Sequence, residues 1–512
     1  MNQFALDALP SSPRTHRLRR LAALLAALAC AGPALAANDA MTELLRVLHA
    51  KGTLDDETYA ALTRAAQADA ERNAAAGSEV EQEADNKLER SLARLGAPRL
   101  RPGRFELEER PGGFDWRLIG RLHYDAAFFD GDGAFEQTDD SQLRRVRLGA
   151  AGTLDANWKF KVEYDFRDGD KAIEGLRDAY IEYAGKLPGL DPAAHPTSVK
   201  IGQSHEPFSF DLLNSSNNSM FIERALPVNT LANFVGERQP GLKLTTWGAR
   251  WTGALGAFAT RQQESLSPVT VTCPIPAGGA VPGSSLQCTG SGGDEQTGPR
   301  DFNDGYALTA RGTWSPWHED GHVLHLGTAF SYRDFLDGNT MRLRERFEVN
   351  ETASRLIDTG NFAARHFMRW NAELAVVEGP FTLQGEYLAM KAATPTADPY
   401  FDGYYLQAGW FLTGESRPYK FQDGIFDGVR PTSLVGKGGW GAWELVARYS
   451  TADLSDASIT GGLQKNFTVG LNWWPIANVR FMANYVHVLD VEGGAFDGAE
   501  PAAFVLRSAV FW

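Results

Sequence analysis

Residues 158–167 read WKFKVEYDFR, in which Trp158, Phe160, Val162, Tyr164 and Phe166 alternate without a break with Lys159, Lys161, Glu163, Asp165 and Arg167. Successive side chains of an extended chain point to opposite sides, so this is a strand with one apolar, aromatic-rich face and one charged face. Two settings offer such a strand two solvents. In a soluble sandwich the aromatic face lies in a protein core. In a membrane barrel it lies in lipid, and the charges face an aqueous lumen.

The rest of the chain decides between them. Candidate strands follow one another from Phe114 to the last residue, about sixteen in all, and many run 10 to 14 residues. That is longer than the roughly 5 to 6 typical of globular sheets and matches an oblique bilayer crossing. The joins alternate in length. Short ones are expected at Leu154-Asp155, Thr252-Gly253, Glu378-Gly379 and Pro475-Ile476-Ala477, with long ones at 129–141, 207–238, 264–303, 334–364 and 489–501. Barrels of the outer membrane have this asymmetry of short periplasmic turns and longer external loops. The join from Gly414 to Gly438 breaks the rule, being long where a short turn is due. Aromatics gather at strand ends, as in Trp473-Trp474, Trp314 with Trp317, and Trp247 with Trp251. The last strand, FVLRSAVFW, puts Phe504, Leu506, Val510 and Trp512 on one face. The fold class predicted is all-β, a transmembrane antiparallel barrel of about 16 strands over 114–512.

The N-terminus carries an address. Arg14, Arg17, Arg19 and Arg20 precede the apolar run Leu21 to Cys30, and Ala34-Leu35-Ala36 is a cleavage pattern, so residues 1–36 read as a signal peptide. Its removal takes away four Arg and one Asp, leaving 46 basic and 63 acidic residues, a net charge of −17. That excess of acids argues against nucleic acid as a partner. Residues 37–96 are rich in Ala, Glu, Leu and Arg with apolar residues at helical spacing, such as Leu88, Leu92 and Leu95. They predict a periplasmic helical segment whose second half is a short coiled coil or a solvated tether. A linker occupies 97–113. Cys273 and Cys288, the two cysteines of the exported chain, sit in a Pro/Gly/Ser-rich stretch and are expected to form a disulfide in an oxidising compartment.

Several stretches carry a resemblance: GRLHYDAAFFD at 120–130, LRRVRLGAAGTLDANWKFKVEYDF at 143–166, LRDAYIEYAG at 176–185 and VKIGQSHEPFSFDLLNSSNNSMFIERALP at 199–227. GYYLQAGWFLTGESRPYK at 403–420 and GAWELVARYSTADLSD at 441–456 complete the set. In this order they resemble the phosphate- and polyphosphate-selective porins, the porin O and P family of Gram-negative outer membranes. The resemblance implies a sixteen-stranded barrel, a homotrimer, and a third external loop, 207–238 here, folded inward to narrow the pore. It also implies basic residues at the constriction and a lysine cluster above it. This loop departs from that pattern. It holds Arg224 and Arg238 against Asp211, Glu223 and Glu237, with no Lys, which leaves phosphate selectivity open.

The strand faces opposite the apolar residues define the lumen independently. They collect Arg117, Arg121, Arg145, Arg147, Lys159, Lys161, Arg167, Lys200, Arg311, Arg365, Arg369, Arg448, Arg480 and Arg507. Against these stand Asp125, Glu163, Asp165, Asp178, Glu182, Glu373, Glu386 and Glu444. Bases outnumber acids there, the reverse of the whole chain. Such bases replace part of an anion's lost hydration, so Arg117, Arg121, Arg145, Arg147, Lys159, Lys161, Lys200, Arg224, Arg369 and Arg448 are the candidate pore-lining, anion-binding residues. The alternative for each is a salt bridge that stiffens the wall. Arg145, Arg147, Lys159 and Lys161, on adjacent strands, form the strongest cluster.

Phosphate-cradling, zinc-protease and paired-cysteine motifs are missing from the sequence. His318, His322 and His325 flank a turn, and Asp130-Gly131-Asp132-Gly133 lacks the remaining ligand spacing of a calcium loop. No cofactor or metal is expected. The expected partners are outer-membrane lipid and small anionic solutes. The function expected is a passive channel; a general or sugar-admitting porin, a barrel enzyme and a structural barrel are the alternatives.

Overall fold

The computed structural model describes residues 115–512 except 132–134, 136, 156, 169–174, 188–195 and most of 260–304. It also describes the backbone of two short strands, Pro98–Arg101 and Arg104–Leu107, and a few positions between 55 and 63. Thr58, Ala60, Ala61 and Thr63 are helical. The rest of the expected 37–96 helical segment, the signal peptide and the Cys273–Cys288 pairing lie outside the described residues.

Sixteen strands form one closed antiparallel ring. They are β1 (Asp115–Asp130), β2 (Asp140–Asp155), β3 (Trp158–Asp165), β4 (Leu176–Tyr183), β5 (Thr197–His205), β6 (Arg238–Trp247), β7 (Trp251–Ala259) and β8 (Tyr306–Glu319). There follow β9 (His322–Met341), β10 (Phe362–Glu378), β11 (Phe381–Ala393), β12 (Tyr400–Phe411), β13 (Ala442–Asp456), β14 (Ile459–Ile476), β15 (Val479–Glu492) and β16 (Ala502–Phe511). Each strand pairs with its neighbours in the chain, and β16 returns to β1 in register from Ala502↔Asp130 to Phe511↔Arg121. Closure leaves no open edge, which is the condition for strands to cross hydrocarbon.

The seam of the ring is packed by one residue of minimal size. Gly120 exchanges two backbone hydrogen bonds with Trp512, each 3.1 Å. A Cβ at 120 would lie 2.3 Å from Cζ2 of the Trp512 indole. Glycine therefore leaves room for the Trp512 indole at the joint.

The alternation of 158–167 has the meaning expected of a barrel. Trp158, Val162 and Phe166 are exposed on the outer wall, whereas Glu163 and Asp165 are 2% exposed inside. In β16, Phe504, Leu506 and Val510 are exposed while Val505, Arg507 and Ala509 are buried. Two aromatic girdles flank the outer apolar band. One end carries Trp158, Trp251, Trp314, Trp317 and Trp410; the other carries Tyr124, Tyr306, Tyr404, Tyr485 and Phe128. Neighbouring rings stack within a girdle, as do Trp443 and Trp473 at 5.2 Å.

The tryptophan end has turns of two or three residues at 156–157, 248–250, 320–321, 379–380 and 477–478. The other end carries the long connections 131–139, 166–175, 206–237, 260–305, 342–361 and 493–501. Thr252-Gly253 is not a turn, contrary to expectation. Both residues lie in β7, and the chain reverses at Gly248, where a Cβ would meet Trp251 Nε1 at 2.3 Å. The asymmetry also has breaks. At the long-loop end, β13 and β14 are joined by two residues, with Ala457 in the left-handed region at φ 55°. At the short-turn end, 184–196 and 412–441 are long.

Candidate functional site

Among the described residues three connections turn into the barrel: 206–237 and 342–361 from the long-loop end, and 412–441 from the short-turn end. A chain crossing a lumen brings backbone N–H and C=O groups with no ladder to satisfy them, and buried groups of this kind must find partners. The barrel wall supplies them through inward side chains.

Glu386 of β11 receives the start of the first inward segment. Its carboxylate accepts from the Phe210 N–H at 2.9 Å, the Asp211 N–H at 2.8 Å and the Ser209 hydroxyl at 3.1 Å, and from the side chains of Tyr405 and Asn371, both at 2.8 Å. It thereby meets the N-terminus of the short helix Phe210–Leu213, where free N–H groups favour an anion. Beyond the helix, guanidinium groups take over the carbonyls. Arg417 donates to Asn218 O at 2.9 Å, Arg507 to Ile222 O at 2.6 Å, Arg448 to Glu223 O at 3.1 Å and Arg369 to Ala232 O at 2.7 Å. Arg480 reaches Asn217 O at 3.2 Å. Arg224, within the segment, donates to the carbonyls of Asp211, Leu212 and Asn214 and to Glu237 at 2.6 Å. The fork of guanidinium N–H groups suits this work, because one side chain can hold a carbonyl and a carboxylate together. Arg369 does so with Glu206 at 2.9 Å.

Connection 342–361 packs against the first through Glu348, which accepts from Leu226 N at 2.9 Å and pairs with Arg448. Connection 412–441 rises to meet the helix from the other side. Phe426 N donates to Asn214 Oδ1 at 2.9 Å, and the Phe426 ring stands edge-on to Phe210 at 5.0 Å. Arg311 of β8 fixes it by donating to the carbonyls of Asp423 and Gly424 at 3.0 and 2.8 Å, while holding Glu373 at 2.7 Å. Tyr419 sits 2.7 Å from His325 Nδ1 and 2.9 Å from Ser315 Oγ. The join that broke the length rule is thus part of the constriction.

Between these segments and the wall of β1 to β8 remains a cavity of about 330 Å³. Ten of its lining residues are basic: Arg121, Arg145, Arg147, Lys161, Lys200, Arg224, Arg238, Lys243, Arg311 and Lys420. Four are acidic: Asp178, Glu237, Asp423 and Asp427. The bases are not equally free. Arg147 is held by Asp165 at 2.7 Å and Glu163 at 3.3 Å, and Lys161 by Asp178 at 2.6 Å. Arg238 contacts Asp178 at 3.1 Å and also pairs with Glu237. Among the described residues Arg145 comes no closer than 4.0 Å to a carboxylate, that of Glu223, which Arg144 and Arg507 already hold at 2.8 and 3.1 Å. Lys243 donates to the His205 carbonyl at 3.1 Å. Arg121 reaches Ser216 Oγ at 2.9 Å and Ser215 Oγ at 3.3 Å on the inward segment.

Burial in the inward segment disfavours the charge of Glu237, but the Arg224 and Arg238 guanidiniums outweigh it and hold the carboxyl well below the usual range. Glu223 is lowered in the same way against its burial, by Arg144, Arg145 and Arg507.

The candidate residues therefore separate into three groups. Arg121, Arg145, Arg147, Lys161, Lys200 and Arg224 line the cavity. Arg369 and Arg448 are buried against the inward connections, their guanidiniums over the rings of Phe208 at 4.5 Å and Phe221 at 4.2 Å. Arg117 and Lys159 are exposed towards the short-turn rim, away from the cavity lining; Lys159 lies in register with Glu182. The four-base cluster is three bases in the cavity and one at the rim, and Glu163 and Asp165 neutralise Arg147 and Lys161. Lys243 was passed over, although Leu242 and Leu244 on the outer face of β6 place it inward by alternation alone. Lys420 and Asp423 gave no signal, since they come from a connection that reads as a plain loop. Among the described residues no cluster of His, Cys, Asp and Glu is arranged to hold a metal ion.

A closed sixteen-stranded barrel with an apolar outer band, two aromatic girdles and inward connections that leave a charged passage is a porin, a channel of the Gram-negative outer membrane. The chain belongs to the family described as phosphate-selective porin O and P, which matches residues 117–491. It is 27% identical over 409 residues to Porin O of Pseudomonas aeruginosa, covering 73% of this chain and 82% of that one. An uncharacterized protein of Caulobacter vibrioides is 30% identical over 359 residues, 69% of this chain; the match spans 63% of the Caulobacter protein's length. Among solved structures, an anion-selective porin from Comamonas acidovorans aligns at TM-score 0.46 and 12% identity, over 78% of this chain and all of that one. The outer-membrane OmpT of Vibrio cholerae aligns at TM-score 0.47 and 11% identity, over 79% and 99%.

Proposed function

We propose that the protein is a passive channel for small anions, with no catalytic role. The observation that carries this reading is the cavity lining, in which ten bases face four acids although the chain as a whole carries a net charge of −14. A low-dielectric wall focuses such a local excess on the passage, where moderate sites in series admit an anion and release it again. The long-loop end faces the outside, the short-turn end and the 37–96 segment face the periplasm, and the working assembly is a homotrimer. Phosphate, polyphosphate and organic acids are the candidate solutes; the missing lysine in the inward loop favours no one of them.

The test is the reversal potential of the purified protein in planar bilayers across a KCl gradient, followed by titration of phosphate against the chloride current. An anion-selective current that phosphate blocks supports the reading. A cation-selective or unselective current refutes it.

A further inference from the structure

We infer that the cavity, granted the anion-channel reading above on which this rests, takes organic anions whose apolar body is about the size of one aromatic ring, in preference to bare oxyanions. Three observations lead there. The first is size. At about 330 Å³ the space enters the range in which pockets hold small organic molecules. A lone oxyanion fills a fraction of it and leaves the rest to water.

The second is the division of the walls. Arg145 and Lys243, the bases least engaged by carboxylates, belong to the barrel wall, on β2 and β6. On the inserted segments, Leu213 of the short helix and Ile425 of the 412–441 connection are partly exposed and line the same cavity, set among polar neighbours such as Asn214, Ser215, Ser216 and Asn218. They are held in place from behind, because Phe426 is buried against Phe210. A solute crossing here passes between the wall bases and an inserted side on which Leu213 and Ile425 offer apolar contact among polar groups. An inorganic anion gains nothing from Leu213 and Ile425, and its hydration meets carbon there. A ring or short alkyl body covers them and displaces poorly held water.

The third is an aromatic shelf. The Tyr180 ring lines the cavity with Lys200 Nζ 4.1 Å from its centroid. A carboxylate or phosphate ester on Lys200 would bring its body over the tyrosine edge, the arrangement that aromatic pairs favour. Lys200 also meets Glu182 at 3.5 Å, so the head group shares that base with a carboxylate; the acids of the lining, Asp178 and Glu237, are occupied by Lys161, Arg224 and Arg238.

The experiment uses two probes with the same head group, methyl phosphate and phenyl phosphate, each titrated against the chloride current of the reconstituted full-length protein. Half-blocking concentrations are compared on the same channels, with the double variant Leu213→Asn, Ile425→Asn as the second arm. Covering Leu213 and Ile425 with a ring is expected to lower the phenyl phosphate value about ten-fold relative to methyl phosphate. In the double variant the ratio is expected to fall towards one. Equal blocking by the two probes in the unsubstituted protein overturns the inference and leaves the anion channel standing. A ratio unchanged in the double variant also overturns it. Absence of any anion-selective current defeats the underlying reading instead.

Discussion

Replacing Glu386 by Ala isolates the contact that seats the inward loop. The carboxylate accepts five hydrogen bonds, three of them from the Ser209–Asp211 start of that loop. Hydrogen bonds to a charged group contribute about 1.5–3 kcal/mol each, but five donors on one carboxylate are far from additive, and water refills part of a lumenal site. A net loss of about 4 kcal/mol of loop anchoring is the working figure, a shift of roughly a thousand-fold in the closed-to-open ratio. The barrel ladder is untouched, so the protein still folds and inserts. Single-channel recording is then expected to show a larger mean conductance, more open-channel noise and weaker anion preference. Glu386→Gln, which keeps one acceptor oxygen and the shape, is expected to fall between the two. Conductance, noise and selectivity in Glu386→Ala equal to the parent would refute the claim that this carboxylate holds the constriction.

Gly120→Val places carbon where the Trp512 indole lies and is expected to lower the yield of closed barrel, read as the heat-modifiable fraction on a gel; an unchanged fraction contradicts the packing of the seam. Arg145→Gln is expected to move the reversal potential towards zero with little loss of stability, because Glu223, its nearest carboxylate at 4.0 Å, keeps the closer partners Arg144 and Arg507. Arg507→Met is expected to do the opposite, destabilising the fold by about 3–5 kcal/mol by stranding buried Asp125, with a smaller effect on selectivity in channels that do form. The lowered carboxyl of Glu237 stabilises the seated loop fully above its unfolded value of about 4.3 and loses that effect only as pH falls through its lower folded value. Conductance is therefore expected to stay constricted from about pH 7 to about pH 4.5, and a Glu237-dependent widening within that window would contradict the Arg224 and Arg238 pairing.

The barrel was legible because its signal is local. Two solvents on two faces force period two, and stretches such as 158–167, 443–449 and 504–512 carry it without interruption. Turn positions were less so. Gly253 looks like a reversal but lies in a strand, while Gly248 turns the chain because Trp251 leaves no room for a side chain. At 457–458 no glycine marks the turn; Asp456 Oδ1 accepting from Ala457 N at 2.8 Å does the work instead. The division of the arginines was not legible at all. Arg145 and Arg369 sit on the same inward face with the same alternation, and what separates them is whether a carbonyl of the inward loop arrives opposite. That depends on the path of 206–237 through the lumen, a matter of tertiary packing with no periodicity. The 412–441 connection was visible as an anomaly of length, and its length is what lets it reach Asn214.

The central claim is that the lumenal bases divide into those that hold the inward connections and those left to meet solute. Anomalous diffraction from crystals of the protein soaked in bromide tests it most directly, since the ion needs only an uncommitted positive group. Bromide is predicted beside Arg145 and Lys243, with none at Arg369, Arg448, Arg480 or Arg507. Bromide at those committed guanidiniums, with the cavity empty, would contradict the division and the anion passage built on it.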